Sequence, residues 1–268
     1  MTMRLAIIAG GGAIARQLFE HCQSAGYKFH IIALVGHADK EDVERFPHTW
    51  VRLGHGRKIL DTLRSKAITD VVMIGNIRRP TLGGLLPDWT VIKLLPRLGW
   101  AMLGDDGLLR GIIKIFEEHG ITVRGMKDLM PGLLAPAGIW TSRHPDDAVK
   151  QSISYGVTVA QKHGEADIGQ AVVVRGDTTI ATEDRNGTDD LLRRVRENGA
   201  GGILVKLCKP QQDKRADLPT IGVRTVENAA AAGLSGIVVS AGNTLVDNYA
   251  ATVAAANDRG LFIMGIEA

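Results

Sequence analysis

The sequence predicts an α/β protein: a Rossmann-like parallel-sheet domain over residues 1–134, followed by a second α/β domain over residues 135–268. Three observations carry that expectation. Short apolar runs alternate with amphipathic stretches of helical length, the pattern of βαβ units around a parallel sheet. The first run ends in Gly10-Gly11-Gly12-Ala13-Ile14-Ala15, a small-residue turn between a strand and a helix. A Pro- and Gly-rich stretch at 131–138 then separates two halves, and 268 residues are enough for two modest cores.

In order, residues 4–9 read as the first strand, and Ile14, Leu18 and Cys22 fall on one face of the helix after the turn. Gly10, Gly12 and Ala15 fit G-x-G-x-x-A, so Gly10, Gly11, Gly12 and Ala13 are candidate phosphate contacts, or else a turn that binds nothing. A dinucleotide site also wants an acid at the end of the second strand, 29–34, to hold ribose hydroxyls. Val35-Gly36-His37 stands there, with Asp39 only later in the loop, which weakens a nicotinamide oxidoreductase and leaves a general nucleotide or phosphate reading. Strands at 49–53 and 70–74 flank a helix at 57–66. Asn76, Arg78 and Arg79 follow at a strand's C-terminal edge, the ligand side of an open sheet, where the arginines face an anion or solvent. Residues 81–103 are rich in Leu and Trp with a few cations. They suit a groove for acyl chains, or packing between domains or subunits. A helix at 108–119, with Asp105 and Asp106 before it as a cap or else as metal ligands, and a strand at 121–124 complete the first domain.

The second half opens with a helix from Pro145 and Asp146-Asp147 to about 162, then a hairpin of 171–175 and 178–182 around Gly176-Asp177. Gly187, Thr188 and Asp189 lead into a helix bearing Leu191, Leu192 and Val195, with Thr188 either its N-cap or a phosphate contact. After a buried strand at 202–205 comes a loop from Lys206 to Gly222. Thr225 then reads as the cap of an Ala-rich helix, and strands at 236–239 and 261–265 bracket the last helix.

The loop is the chief candidate for chemistry. Lys206, Lys209, Lys214 and Arg215 stand beside Asp213, Asp217 and Gln212, and Pro210 and Pro219 deny the segment a helix. Cations next to carboxylates suit an anionic substrate held with a divalent metal, on Asp213 and Asp217. A solvated surface loop with internally paired charges is the alternative.

The loop also carries a likeness. K-x-x-K-P-x-Q-D-x-R-x-D-L-P-T-x-G, Lys206 to Gly222, resembles the magnesium-dependent two-domain UDP-2,3-diacylglucosamine pyrophosphatase family of lipid A biosynthesis. Other segments agree in order: Gly10-Gly11-Gly12, Gly104-Asp105-Asp106-Gly107, Asp167-Ile168-Gly169-Gln170, Gly187-Thr188-Asp189, and 225–230 through Ala241-Gly242. Asn186 and Ser240 stand where the pattern has glutamate. The resemblance implies hydrolysis of the substrate diphosphate to UMP and 2,3-diacylglucosamine 1-phosphate with Mg²⁺ or Mn²⁺. It implies catalytic roles for Asp213, Asp217, Lys206, Lys209, Arg215 and Gln212, and substrate contacts at Gly10, Gly11, Gly12, Ala13, Asn76, Gly187, Thr188, Asp189 and Thr220. A non-catalytic lipid- or nucleotide-binding protein is the alternative.

Composition removes other classes. A net charge of +3 and 4% aromatic residues offer no nucleic-acid footprint. The eight histidines lack metal-ligand spacing and most read as surface or loop residues, and no G-x-S-x-G elbow is present. Cys22 and Cys208 form no disulfide framework, which fits a reducing cytoplasm. With no signal peptide and no apolar run of about 20 residues, the expectation is a cytoplasmic protein in peripheral contact with the inner membrane. A homodimer is the default assembly.

Overall fold

The computed structural model describes residues 3–77 and 105–267; Arg78, Arg79, the apolar segment 81–103 and the side chains of Asp105 and Asp106 lie outside what it describes. The chain divides into two units, one made of Met1–Pro131 with Asp213–Asp217, the other of Gly132–Gln212 with Leu218–Ala268.

The first unit is built on β1 (Arg4–Ala9), β2 (Lys28–Leu34), β3 (His48–Val51), β4 (Asp70–Ile74) and β5 (Thr122–Arg124), in the order β3-β2-β1-β4-β5. Every pairing is parallel. β1 is buried at all but its first residue, which is why it reads as an unbroken apolar run rather than an alternating one. Between β1 and β2 runs α1 (Ala13–Ser24), whose buried face is Ile14, Ala15, Leu18, Phe19 and Cys22. Short α2 (Lys40–Val43), α3 (Gly56–Ser65), α4 (Asp105–Glu118) and α5 (Met126–Leu129) complete the unit. Strand order reverses between β1 and β4, so the ends of those two strands form the switch point where open sheets take ligands.

His30 is an exception to the surface or loop placement expected of most histidines. It lies on β2, only 7% exposed, with Nε2 2.8 Å from Thr49 Oγ1. Burial first, then the charges of Lys66 and His48, push its pKa down to about 4.

The second unit carries a six-stranded sheet in the order β6-β13-β11-β9-β7-β8. Its parallel centre is β9 (Ile203–Lys206), β11 (Gly236–Ser240) and β13 (Phe262–Ile266). β7 (Ala171–Arg175) runs antiparallel to β9 and makes the predicted hairpin with β8 (Thr178–Thr182), turning at Gly176 with φ 60°. Gly138–Ile139 (β6) adds an antiparallel edge, while Thr220–Ile221 (β10) and Leu245–Val246 (β12) pair by themselves. The helices are α6 (Asp147–Glu165), capped by Asp146, which accepts from the Val149 N–H, then α7 (Thr188–Arg194), α8 (Val223–Ala231) and α9 (Tyr249–Asp258). Leu191, Leu192, Leu204, Ile237, Val239 and Ile263 are at the centre of its core.

Three predicted caps move: α4 begins at Asp105, so Asp105 and Asp106 lie inside the helix they were expected to cap, and α7 and α8 are capped by glycine. The N-cap of α7 is Gly187, and Thr188 is the first helical residue, its hydroxyl donating instead to Glu183 Oε1 at 2.6 Å. The N-cap of α8 is Gly222, and Thr225 sits at the third helical position, where its hydroxyl accepts from the Gly222 N–H at 3.3 Å. In both, the glycine takes the cap and the threonine serves as a local brace.

Candidate functional site

In the first unit, the glycine turn at the switch point is closed by the unit itself. Gly10 N–H donates to Ile74 O at 2.9 Å, Gly11 N–H to Asn76 O at 3.1 Å, and Asn76 N–H returns to Gly11 O at 2.8 Å. Gly12, with φ 110°, caps α1, and its N–H donates to Asp39 Oδ2 at 3.0 Å. The three glycine donors of the predicted phosphate cradle are thus bonded internally. Asp39, five residues beyond β2, lends the turn the negative charge that a helix N-terminus favours. The close approach is what demands glycine: a Cβ on Gly75, at φ 94°, would lie 2.8 Å from the Gly10 carbonyl carbon and 2.9 Å from Gly11 O.

The segment 213–217 belongs to this same unit. Arg215 grips Asp213 with Nε on Oδ1 at 3.0 Å and Nη2 on Oδ2 at 2.8 Å, and its own N–H donates to Oδ1 at 3.0 Å. Its Nη1 donates to Glu117 Oε1 at 2.8 Å on α4, and Ala216 packs on the unit's core. The hydrogen bond from Arg215 is the leading cause that holds the Asp213 carboxyl below its ordinary range. Asp217 follows close by, its N–H donating to Asp213 O at 3.1 Å.

In the second unit, the rest of the loop leaves the C-terminal end of β9. Lys206, the last residue of β9, is buried, and its Nζ donates to Thr220 O at 3.0 Å, so the two predicted site residues meet. Gln212 folds back on the loop, with Oε1 accepting from Lys209 N–H at 3.1 Å and from Cys208 Sγ at 3.3 Å. Lys209 Nζ bonds Asp167 Oδ1 at 2.7 Å, and Ser240 Oγ accepts from Cys208 N–H at 3.1 Å. Asp189 is directed toward α8, its oxygens bonded to Arg224 at 2.8 Å and Asn228 at 2.9 Å.

Beside this loop lies a cluster that sequence reading missed. Glu183, 5% exposed, accepts from Gln170 N–H at 2.7 Å through Oε2 and from the Thr188 hydroxyl through Oε1. Its backbone carbonyl meets His163 Nε2 at 2.7 Å. Gln170 O in turn accepts from Leu207 N–H at 2.9 Å, which joins the cluster to the loop. The available signal was Asp167-Ile168-Gly169-Gln170; nothing in the sequence distinguished Glu183 from other strand-end carboxylates. Asp39 had a signal, as the displaced acid of the glycine fingerprint. The surface hollows lined by Lys58 and Asp61, and by His144 and Lys150, contain none of the predicted site residues.

For a divalent metal, the fit is partial. Among the described residues no group of three His, Cys, Asp or Glu side chains could hold an ion. Asp213 stays anionic, yet both of its oxygens already bond Arg215. What remains suits Mg²⁺ held by one or two carboxylates together with substrate phosphates, rather than by a protein-only cage.

A Rossmann-type parallel sheet, followed by a mixed sheet whose strand ends carry a charged loop, defines a two-unit α/β protein of the kind that handles phosphate-bearing ligands. Residues 4–133 match the model of the LpxI N-terminal domain and residues 136–264 that of the LpxI C-terminal domain. Over 274 aligned residues, 98% of each chain, the protein is 39% identical to the UDP-2,3-diacylglucosamine pyrophosphatase LpxI of Caulobacter vibrioides. The chain belongs to the LpxI family, as the loop pattern implied.

Proposed function

We propose that this chain hydrolyses UDP-2,3-diacylglucosamine to UMP and 2,3-diacylglucosamine 1-phosphate, a step of lipid A biosynthesis. The observation that carries the reading is 39% identity to the Caulobacter pyrophosphatase over 98% of each chain, with a family model matched in each half. Water attacks the sugar-side phosphorus: a P–O bond to the water oxygen forms, the anhydride P–O bond breaks, and UMP leaves. Negative charge grows on the leaving oxygen and persists on the phosphoryl oxygens, so positioned cations are what the reaction needs.

In the second unit Lys206 and Lys209 are cations suited to that role, oriented beforehand by Thr220 and Asp167; in the first unit Arg215 is another, held by Asp213. Gln212 holds the backbone at Lys209. Asp217 and Asp213 are the residues that would hold Mg²⁺ or orient water; when bound, the ion polarises the diphosphate and neutralises charge on the leaving group. With two acyl chains on the substrate, contact with the membrane is peripheral, and no helix among the described residues is long and apolar enough to cross one.

The test is UMP release from the diacylated sugar nucleotide with Mg²⁺ or with EDTA. Asp213→Ala and Asp217→Ala should abolish Mg²⁺-dependent release while far-UV circular dichroism stays native. Wild-type turnover in both variants would remove the loop from the reaction, and intact substrate retained by the wild-type protein would make it a binder instead.

A further inference from the structure

The side-chain carbonyl Oε1 of Gln170 is buried with no hydrogen-bond partner among the described residues. A buried acceptor left unpaired is unfavourable, and where a native structure keeps one it calls for an explanation. Here the surroundings supply it. The Gln170 backbone is pinned on both sides, its N–H to Glu183 Oε2 at 2.7 Å and its carbonyl to Leu207 N–H at 2.9 Å, at the root of the charged loop. Glu183 is locked in turn by Thr188. The packing behind is tight: a Cβ on Gly169 would lie 2.8 Å from Glu183 O and 2.9 Å from His163 Nε2. The backbone beneath the unpaired oxygen is thus fixed, so a shift of the main chain cannot bring the oxygen to another protein donor.

We infer that Gln170 is a substrate-orienting residue of the reaction proposed above, its Oε1 accepting a hydrogen bond from an O–H or N–H of the sugar nucleotide. The sugar hydroxyls, the acylated amide and the uracil ring all offer such donors. This rests on the pyrophosphatase reading, and it extends the site to a residue that touches no phosphate charge.

The prediction has two sides, because a side chain kept for the fold and one kept for a ligand respond oppositely to losing their polar atom. In Gln170→Met and Gln170→Leu, which remove the acceptor at similar size, the urea unfolding midpoint should hold or rise. At the same time kcat/KM for UMP release should fall about tenfold, the weight of roughly one hydrogen bond, with the loss in KM. Loss of kcat at unchanged KM would assign the donor to the attacking water and overturn the substrate assignment. Wild-type kinetics in the variants, or failure of both to fold, would overturn it outright. Should the wild-type protein release no UMP, the hydrolase reading fails by itself. Equilibrium binding of the intact sugar nucleotide then decides Gln170: tighter in wild type than in Gln170→Met supports the inference, and equal or absent binding refutes it.

Discussion

The grip of Arg215 on Asp213 should behave as the anchor of the loop segment, and a double-mutant cycle can weigh it. Arg215 makes two side-chain bonds to Asp213 and one to Glu117. Asp213 is 19% exposed and Glu117 49%, with Arg215 at 41% between them. Solvent therefore screens the Glu117 contact to about 0–0.5 kcal/mol, as for a surface pair. The paired bonds to the more protected Asp213, discounted for the half-exposed arginine, should couple at about 1–2 kcal/mol. Arg215→Met, Asp213→Ala and Glu117→Gln, with the two double variants, give both couplings from urea unfolding at pH 7. Hydrogen exchange on peptides of the first unit's sheet keeps the two units distinct. The Asp213 pKa lies below its ordinary 3.8 in the native state. Its stabilisation is accordingly complete above 3.8 and lost as pH falls through the lower native value, so the coupling at pH 5 should equal that at pH 7. A 213–215 coupling no larger than the 117–215 coupling, or one that fades between pH 7 and 5, would refute the anchor.

Three other outcomes follow from the geometry. His30 titrates near 6.5 when unfolded and at about 4 when native. The first unit should thus lose up to about 3 kcal/mol as pH falls from 6.5 to 4 and little more below, a slope that His30→Gln removes in pH-dependent unfolding. Gly75→Ala forces a Cβ to within 3.0 Å of three backbone atoms of Gly10 and Gly11 at φ 94°, at a cost of about 3 kcal/mol or more; an unchanged unfolding midpoint would show that the β1 and β4 ends can part freely. Thr244, fully buried, keeps its hydroxyl without a partner among the described residues, so Thr244→Val should raise the unfolding free energy by about 1 kcal/mol.

Much of the fold was legible because its signals are local. β1 and β4 begin and end at the predicted residues, since a largely buried strand leaves an apolar run bounded by polar or glycine residues. The hairpin at Gly176 followed from its turn. What escaped were elements too short to show a period: Gly138–Ile139, Thr220–Ile221 and Leu245–Val246 exist only through pairing with strands distant in sequence. The caps of α7 and α8 were misplaced because threonine is a strong cap in general, while here glycine precedes it and the hydroxyls find other partners.

The site was legible as a list of residue types, less so as a set of contacts. Proximity along the chain grouped Asp213 with Asp217, and a backbone bond keeps them close, but the Asp213 side chain turns back onto Arg215. The same rule that makes a charged loop suspicious makes its charges seek one another, so composition alone cannot tell a ligand-facing carboxylate from a brace. Unpaired buried atoms add what composition lacks, because they carry an energetic cost that a partner relieves: Oε1 of Gln170, in a segment the sequence marked only through Asp167-Ile168-Gly169-Gln170, has no partner among the described residues, whereas both oxygens of Asp213 are bonded to Arg215.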